Sequence, residues 1–238
     1  MNKKFVFFIF FIILTLEIIS NYPIEKFSNI KKINFNELQP LETKKSNPIC
    51  CLNNFCINLE KENFVLKDEK YRQSSFNKNT YENEFSYTGP LRDYLNNNPQ
   101  IKKICILGFG LGGLPLEYSK RKEIELIDCV DINPDVYQLY RSVITENPSD
   151  KINYYLGDAE SYLLECDKKY DLIIDDIFTD TKIFYDYKNA KKRLNKNGTL
   201  FINMHNLSDF HKYEKYLKEL FSKVYYIQKN ELCVFCIN

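Results

Sequence analysis

From residue 101 onward, short apolar runs alternate with stretches of helical spacing. The runs cover residues 101–107, 124–130, 152–156, 172–174, 199–204, 224–227 and 232–237. Between them, residues 114–120, 134–144, 159–166, 183–194 and 208–221 space their apolar side chains as helices do. Pro134 suits a first helical turn, and Ser208 suits a cap. Strands that are apolar nearly throughout are buried on both faces, as in a parallel sheet covered by helices. The last two runs are joined only by residues 228–231, which implies an antiparallel hairpin. The pattern therefore predicts a doubly wound α/β fold: a mostly parallel, seven-stranded sheet with an antiparallel C-terminal edge hairpin.

Upstream the pattern is thinner. Residues 50–75 hold two short apolar runs, Phe55-Cys56-Ile57 and Phe64-Val65-Leu66, which predict a small N-terminal β-hairpin. Tyr81, Phe85, Tyr87, Leu91 and Leu95 have helical spacing over residues 80–95, with Pro90 expected to bend or split the helix. Residues 50–98 thus form a small hairpin-plus-helix unit, and residues 99–238 a Rossmann-like nucleoside-binding domain. Residues 21–49 are polar, rich in Lys and Asn, and read as a linker. Within residues 1–20, Lys3 and Lys4 precede an apolar run interrupted only by Glu17 before residue 20. Its length falls between a signal-peptide core and a membrane span, so a signal-anchor or a signal peptide is expected. That implies a membrane-associated or secretory-pathway protein, with the side of the membrane left open by lysines on both flanks.

Composition narrows the classes. Thirty-three Lys and Arg oppose 32 Asp and Glu, for a net charge of +1. This balance argues against nucleic-acid binding by bulk electrostatics. Eight cysteines are too few and scattered for a disulfide scaffold. Cys50, Cys51 and Cys56 cluster, and a disulfide there is one option. Cys233 and Cys236 lie three apart on an expected strand, on opposite faces, which favours buried free thiols over a zinc site. No metal is expected.

The strongest chemical signal is Leu107-Gly108-Phe109-Gly110-Leu111-Gly112-Gly113, between the first strand and its helix. Gly108, Gly110 and Gly112 let the backbone turn sharply and approach a ligand closely. A phosphate-binding P-loop would need Gly-Lys-Ser/Thr, which is absent. Asp131 ends the second strand, where a carboxylate can accept both ribose hydroxyls. Gly157-Asp158-Ala159 follows the third strand; Asp158 can accept from an adenine amino group, and it is also a good helix cap. Asp175 and Asp176 end the fourth strand, and alternation lets only one of them face a ligand. That one can anchor an amine or take its proton. His205 lies near the expected pocket mouth, and His211 reads as a surface residue.

These motifs carry a resemblance. Ile104-Cys-Ile-Leu-Gly-Phe-Gly-Leu-Gly-Gly113, Val130-Asp-Ile-Asn-Pro134, Gly157-Asp-Ala159, Tyr170-Asp-Leu-Ile-Ile-Asp-Asp176, Gln73-Ser74 and Asn83-Glu-Phe-Ser-Tyr-Thr88 resemble the spermidine-synthase-like branch of the class I methyltransferase superfamily. The resemblance implies that Asp131 holds the ribose, that Asp158 with Ala159 holds the adenine, that Asp176 faces the reacting group, and that Tyr87 lies near the substrate amine. It implies S-adenosylmethionine or its decarboxylated form as cofactor. The chain also departs from aminopropyltransferases. Leu111 stands where they carry an acid, Thr88 where they carry Gln, and Asp176-Ile-Phe-Thr-Asp180 where they carry Asp-Ser-Ser/Thr-Asp-Pro. Ile106 likewise replaces the acid that ordinary methyltransferases place before the glycines.

The reading favoured by these departures is a methyltransferase acting on an amine or carboxylate, with a small-molecule or protein amine as acceptor. Aminopropyl transfer to a diamine is the second reading. A catalytically inactive, membrane-tethered interaction domain is the third. No nucleic-acid partner is expected, and a homodimer is compatible with all three.

Overall fold

A computed structural model describes residues 30–178, 186–204 and 206–238. The continuous apolar runs become the centre of one sheet. Its strands are β6 (Lys103–Leu107), β7 (Leu126–Asp131), β8 (Ile152–Leu156), β9 (Tyr170–Asp175), β10 (Leu194–Met204), β11 (Lys223–Gln228) and β12 (Leu232–Ile237). Pairing is parallel from β8 through β7, β6 and β9 to β10, then antiparallel to β12 and β11. The order reverses between β6 and β9, and in open α/β sheets a ligand crevice forms at the carboxyl ends beside such a reversal.

Helices α2 (Gly113–Ser119), α3 (Pro134–Val143), α4 (Ala159–Glu165), α5 (Tyr187–Arg193) and α6 (Leu207–Leu220) supply the crossovers and cover both faces. Two apolar clusters result, one containing Ile104, Ile106, Tyr137 and Tyr140, the other Cys105, Leu107, Tyr162 and Leu217. Alternation along β6 thus sends neighbouring residues into different cores. Cys233 and Cys236 do the same on β12, as buried free thiols. The cap of α6 is Asn206, whose side chain accepts from the Asp209 N–H, two residues earlier than the expected Ser208.

The upstream segments differ more from expectation. Residues 21–49, read as a linker, contain β1 (Lys31–Ile33), which pairs antiparallel with β8 and gives the sheet an eighth strand. The Asn34-capped 3-10 turn Phe35–Glu37 follows, and Phe35 is buried against Tyr140 and Tyr154 at 5.9 and 6.0 Å between ring centroids. A three-residue edge strand with two exposed lysines carries no hydrophobic alternation, so it reads as a polar connector.

The hairpin is a four-stranded antiparallel sheet: β2 (Cys50–Leu52), β3 (Phe55–Glu60), β4 (Asn63–Lys67) and β5 (Arg72–Asn77). Cys51 and Cys56 face each other across β2 and β3 and are disulfide-bonded. The helix expected over residues 80–95 is α1 (Thr88–Asn97); Pro90 sits in its first turn, where its missing N–H costs nothing. Residues 80–87 are instead a connector, with Tyr81 at positive φ and Asn83 bridged to Phe76.

The membrane-associated placement expected from the N-terminal run is corrected. Among the described residues no helix is long and apolar enough to cross a membrane. The longest, α6, has 14 residues and carries charged side chains along its exposed face, whereas a span needs about 20 apolar residues. Residues 1–20, on which the expectation rested, lie outside the described residues.

Candidate active site

The glycine-rich bend is stitched to both neighbouring strands. Gly108 donates its N–H to the Val130 carbonyl at 2.8 Å, and Asp176 donates to the Leu107 carbonyl at 2.8 Å. Gly108 has φ +90°, and a Cβ there would lie 2.5 Å from the Asp176 carbonyl oxygen. Gly112 has φ +74°, and a Cβ there would meet the Phe109 and Tyr140 rings at 2.8 Å. Phe109 stacks on Tyr137, with 4.8 Å between centroids, and Leu111 is fully buried; both belong to the first core cluster. Over Gly110 lies Ser74 of β5, whose Cβ and Oγ would be 3.0 Å from a Cβ at that glycine. The small sheet therefore covers the bend.

Asp131 meets the bend directly. Its Oδ2 accepts the Phe109 N–H at 2.7 Å, and its Oδ1 accepts the Asn133 N–H at 2.9 Å. Burial pushes this carboxyl up from its ordinary pKa, against backbone N–H groups that pull it down. Gly157 donates to the Asp131 carbonyl at 2.9 Å, which sets the tips of β7 and β8 side by side. Asp158 follows. Its Oδ2 accepts the Ser161 N–H and O–H at 2.9 and 3.0 Å, so the capping role is met with one oxygen. Ala159 opens α4, where its N–H lies outside the helical ladder.

At the tip of β9 the two aspartates part, as alternation requires. Asp175 is fully buried and accepts the Tyr187 hydroxyl at 2.7 Å. Asp176 turns the other way: its Oδ2 accepts the Tyr87 hydroxyl at 2.6 Å, and its Oδ1 accepts the Asn203 amide at 2.8 Å. Burial, then the charge of Asp176, holds the Tyr87 phenol well above its ordinary pKa. Tyr87 is thus a fixed donor.

All eight expected positions fall at the carboxyl ends of β6 to β9 or on Tyr87, which touches that end. Gly108, Gly110, Gly112 and Asp131 are brought together in one bend; Asp158 and Ala159 adjoin through Gly157; Tyr87 and Asp176 are directly bonded. His205 and Asp180 lie outside the described residues. His211 is exposed beside Glu214, a surface position. Among the described residues, no group of three or more His, Cys, Asp and Glu is arranged to hold a metal.

Three positions escaped the sequence reading. Ile132, 70% exposed beside Asp131, is an apolar side chain left in a loop immediately after a strand-ending acid. Asn203 is a polar residue inside an apolar strand; its amide reaches Asp176, and its buried Oδ1 has no hydrogen-bond partner among the described residues. Glu231, from the turn after β11, accepts the Tyr87 N–H and the Ser86 hydroxyl at 3.1 and 3.0 Å. The first two were detectable as breaks in local patterning, whereas the third joins residues 144 positions apart.

The strand order and crossover helices define a Rossmann-like fold of the class I methyltransferase type. Residues 90–237, more than half of the chain, match the spermine/spermidine synthase domain, and the chain belongs to that family. It is 31% identical over 140 residues to a polyamine aminopropyltransferase of Clostridium botulinum, covering 53% of this chain and 48% of that protein. The chain thus spans about half the length of that relative. Among solved structures, a probable spermidine synthase from Corynebacterium glutamicum superposes with TM-score 0.66 at 15% identity, over 77% of each chain. Human methyltransferase-like protein 13, in complex with SAH, superposes with TM-score 0.54 at 20% identity, over 63% of this chain and 80% of that one.

Proposed function

We propose that the chain transfers an aminopropyl group from an adenosyl sulfonium donor to an amine. The observation that carries this reading is the Tyr87–Asp176–Asn203 cluster at the crevice end of β9. An ammonium must lose a proton before its nitrogen can attack carbon, and Asp176 is the carboxylate positioned to take it. Tyr87, kept protonated, and the Asn203 amide each donate to one Asp176 oxygen and so fix its orientation. When bound, the donor supplies a carbon made electrophilic by positive sulfur: the amine's lone pair forms C–N, C–S breaks, and the bonding pair leaves on sulfur as a neutral thioether.

The chain's residues suit the adenosine half of such a donor. Asp131 accepts the ribose hydroxyls, Asp158 accepts from the exocyclic amino group through its other oxygen, and the Ala159 N–H meets a ring nitrogen. The exposed face of Ile132 gives the adenine an apolar surface. The family match and the curated aminopropyltransferase relatives favour aminopropyl over methyl transfer.

A second reading, methyl transfer from S-adenosylmethionine, is favoured by one observation. Leu111 is fully buried in the core, so that loop position offers no carboxylate to an aminopropyl ammonium. Incubation of the protein with each donor and a panel of diamines, followed by mass spectrometry, separates the two. Methylthioadenosine with an amine gaining an aminopropyl group supports the first; S-adenosylhomocysteine with a methylated amine supports the second. Failure to bind either donor leaves the fold as an interaction module.

A further inference from the structure

We infer that Glu231 is a positioning residue that sets the Tyr87 hydroxyl against Asp176; the inference rests on the reaction site proposed above. Helix α1 begins without a cap of its own, because its N-cap residue is Tyr87, whose side chain makes no capping hydrogen bond. Gly89 and Pro90 follow in the first turn, and neither offers a capping side chain. The missing acceptor comes from the far end of the chain. The turn between β11 and β12 is three residues long and closes with the Lys229 N–H on the Glu231 carbonyl at 3.2 Å. It delivers the Glu231 carboxylate to the start of α1, where Oε2 alone accepts both the Tyr87 N–H and the Ser86 hydroxyl. A negative charge at a helix N-terminus is favourable in itself.

A second contact from the same hairpin reaches the other side of the Tyr87 peptide: the Cys233 thiol lies 3.8 Å from the Tyr87 carbonyl. The Tyr87 backbone is therefore held on both its N–H and its C=O by β12 and the turn before it. Its ring lies between Phe85 and Phe201, at 6.1 and 6.4 Å between centroids. With backbone and ring both fixed, the hydroxyl has one place to go, the 2.6 Å contact with Asp176. Glu231 also adds to the negative field that keeps the phenol protonated. The carboxylate contacts no reacting atom; its effect passes through Tyr87.

The test is a double-mutant cycle on the full chain, with turnover and donor affinity measured for Glu231→Ala, Glu231→Gln, Tyr87→Phe and the Glu231→Ala/Tyr87→Phe double variant. Glu231→Ala is expected to lower turnover about 10-fold with donor affinity changed less than about 2-fold, because only orientation at the reacting end is lost. Glu231→Gln keeps an acceptor oxygen for both donors and is expected to restore turnover to within about 3-fold of the parent. The double variant is expected within about 2-fold of Tyr87→Phe alone, since coupled residues are non-additive. Additive losses, or a loss expressed in donor affinity, would overturn the inference. Should the parent chain turn over no amine with either donor, the proposed reaction fails, and amide exchange decides the positioning separately. Exchange at Tyr87 about 10-fold faster in Glu231→Ala but not in Glu231→Gln upholds it; unchanged exchange overturns it.

Discussion

Tyr87 and Asp176 are 89 positions apart and meet at 2.6 Å. The contact gives the proposed base a fixed direction, and removing it has a defined consequence. Tyr87→Phe is expected to lower turnover about 10- to 100-fold and Asp176→Asn about 100-fold or more, the range for a lost positioned acid–base partner. Steady-state kinetics check both. Asp131 carries a different signature. Its buried carboxyl titrates above an ordinary aspartate's, so its protonated form is reached at higher pH than for a free side chain. The proposed ribose contact needs the ionised form. Donor affinity is therefore expected to be full near neutrality and to fall as pH drops through that raised value, above the usual value of about 3.9. Calorimetry across pH reads this, and in Asp131→Asn that dependence is lost along with most of the affinity. Gly108 is constrained twice, by its positive φ and by the Asp176 carbonyl in the space of a Cβ. Gly108→Ala is expected to destabilise the fold by about 2–3 kcal/mol in urea unfolding and to displace Asp176.

Legibility in the sequence differs from element to element. β8 and β12 coincide with apolar runs visible in the sequence, and β6, β7 and α3 differ from theirs by no more than two residues; for β6, β7 and β12, burial on both faces leaves nothing for the pattern to confuse. β5 has the composition Arg-Gln-Ser-Ser-Phe-Asn and no alternation, since it is held by β4 and by the bend it covers. Residues 80–87 show helical spacing for a reason other than a helix. Tyr81 packs on Phe76, while Phe85 and Tyr87 pack against each other. Among the candidate site residues, the positions of those ending β7 and β9 were legible, whereas the contacts of Asn203 with Asp176 and of Glu231 with Tyr87 join segments remote in sequence. One element-scale feature lies away from the crevice. Asp128 of β7 is fully buried and accepts from Lys168, Tyr162, Tyr170 and Asn153 at 2.7, 3.0, 2.7 and 2.9 Å. Lys168→Met removes the charge partner but leaves two phenols and an amide. With the ammonium about a third exposed, the expected cost is about 1–2 kcal/mol, well below that of a wholly buried pair, measurable by chemical denaturation.

At the scale of the whole molecule, the two sheets meet at the carboxyl ends of the parallel strands. The parallel sheet presents four strand tips with Asp131, Asp158 and Asp176. The small antiparallel sheet lays Ser74 over the glycine bend, and the connector that follows it delivers Tyr87. The C-terminal hairpin closes the arrangement by reaching back to the start of α1 through Glu231. Segments remote in sequence thus converge on one end of the fold; the family match covers residues 90–237 of it, while Ser74 and Tyr87 come from the segment before. The most direct test of the central claim is calorimetric titration of the protein with decarboxylated S-adenosylmethionine, S-adenosylmethionine and methylthioadenosine, repeated with Asp131→Asn. The expected result is saturable binding of all three adenosyl compounds, tightest for the decarboxylated donor and at least about 10-fold weaker in the variant. Heat signals absent for all three, or equal affinity in the parent and in Asp131→Asn, would contradict a nucleoside held at these strand tips.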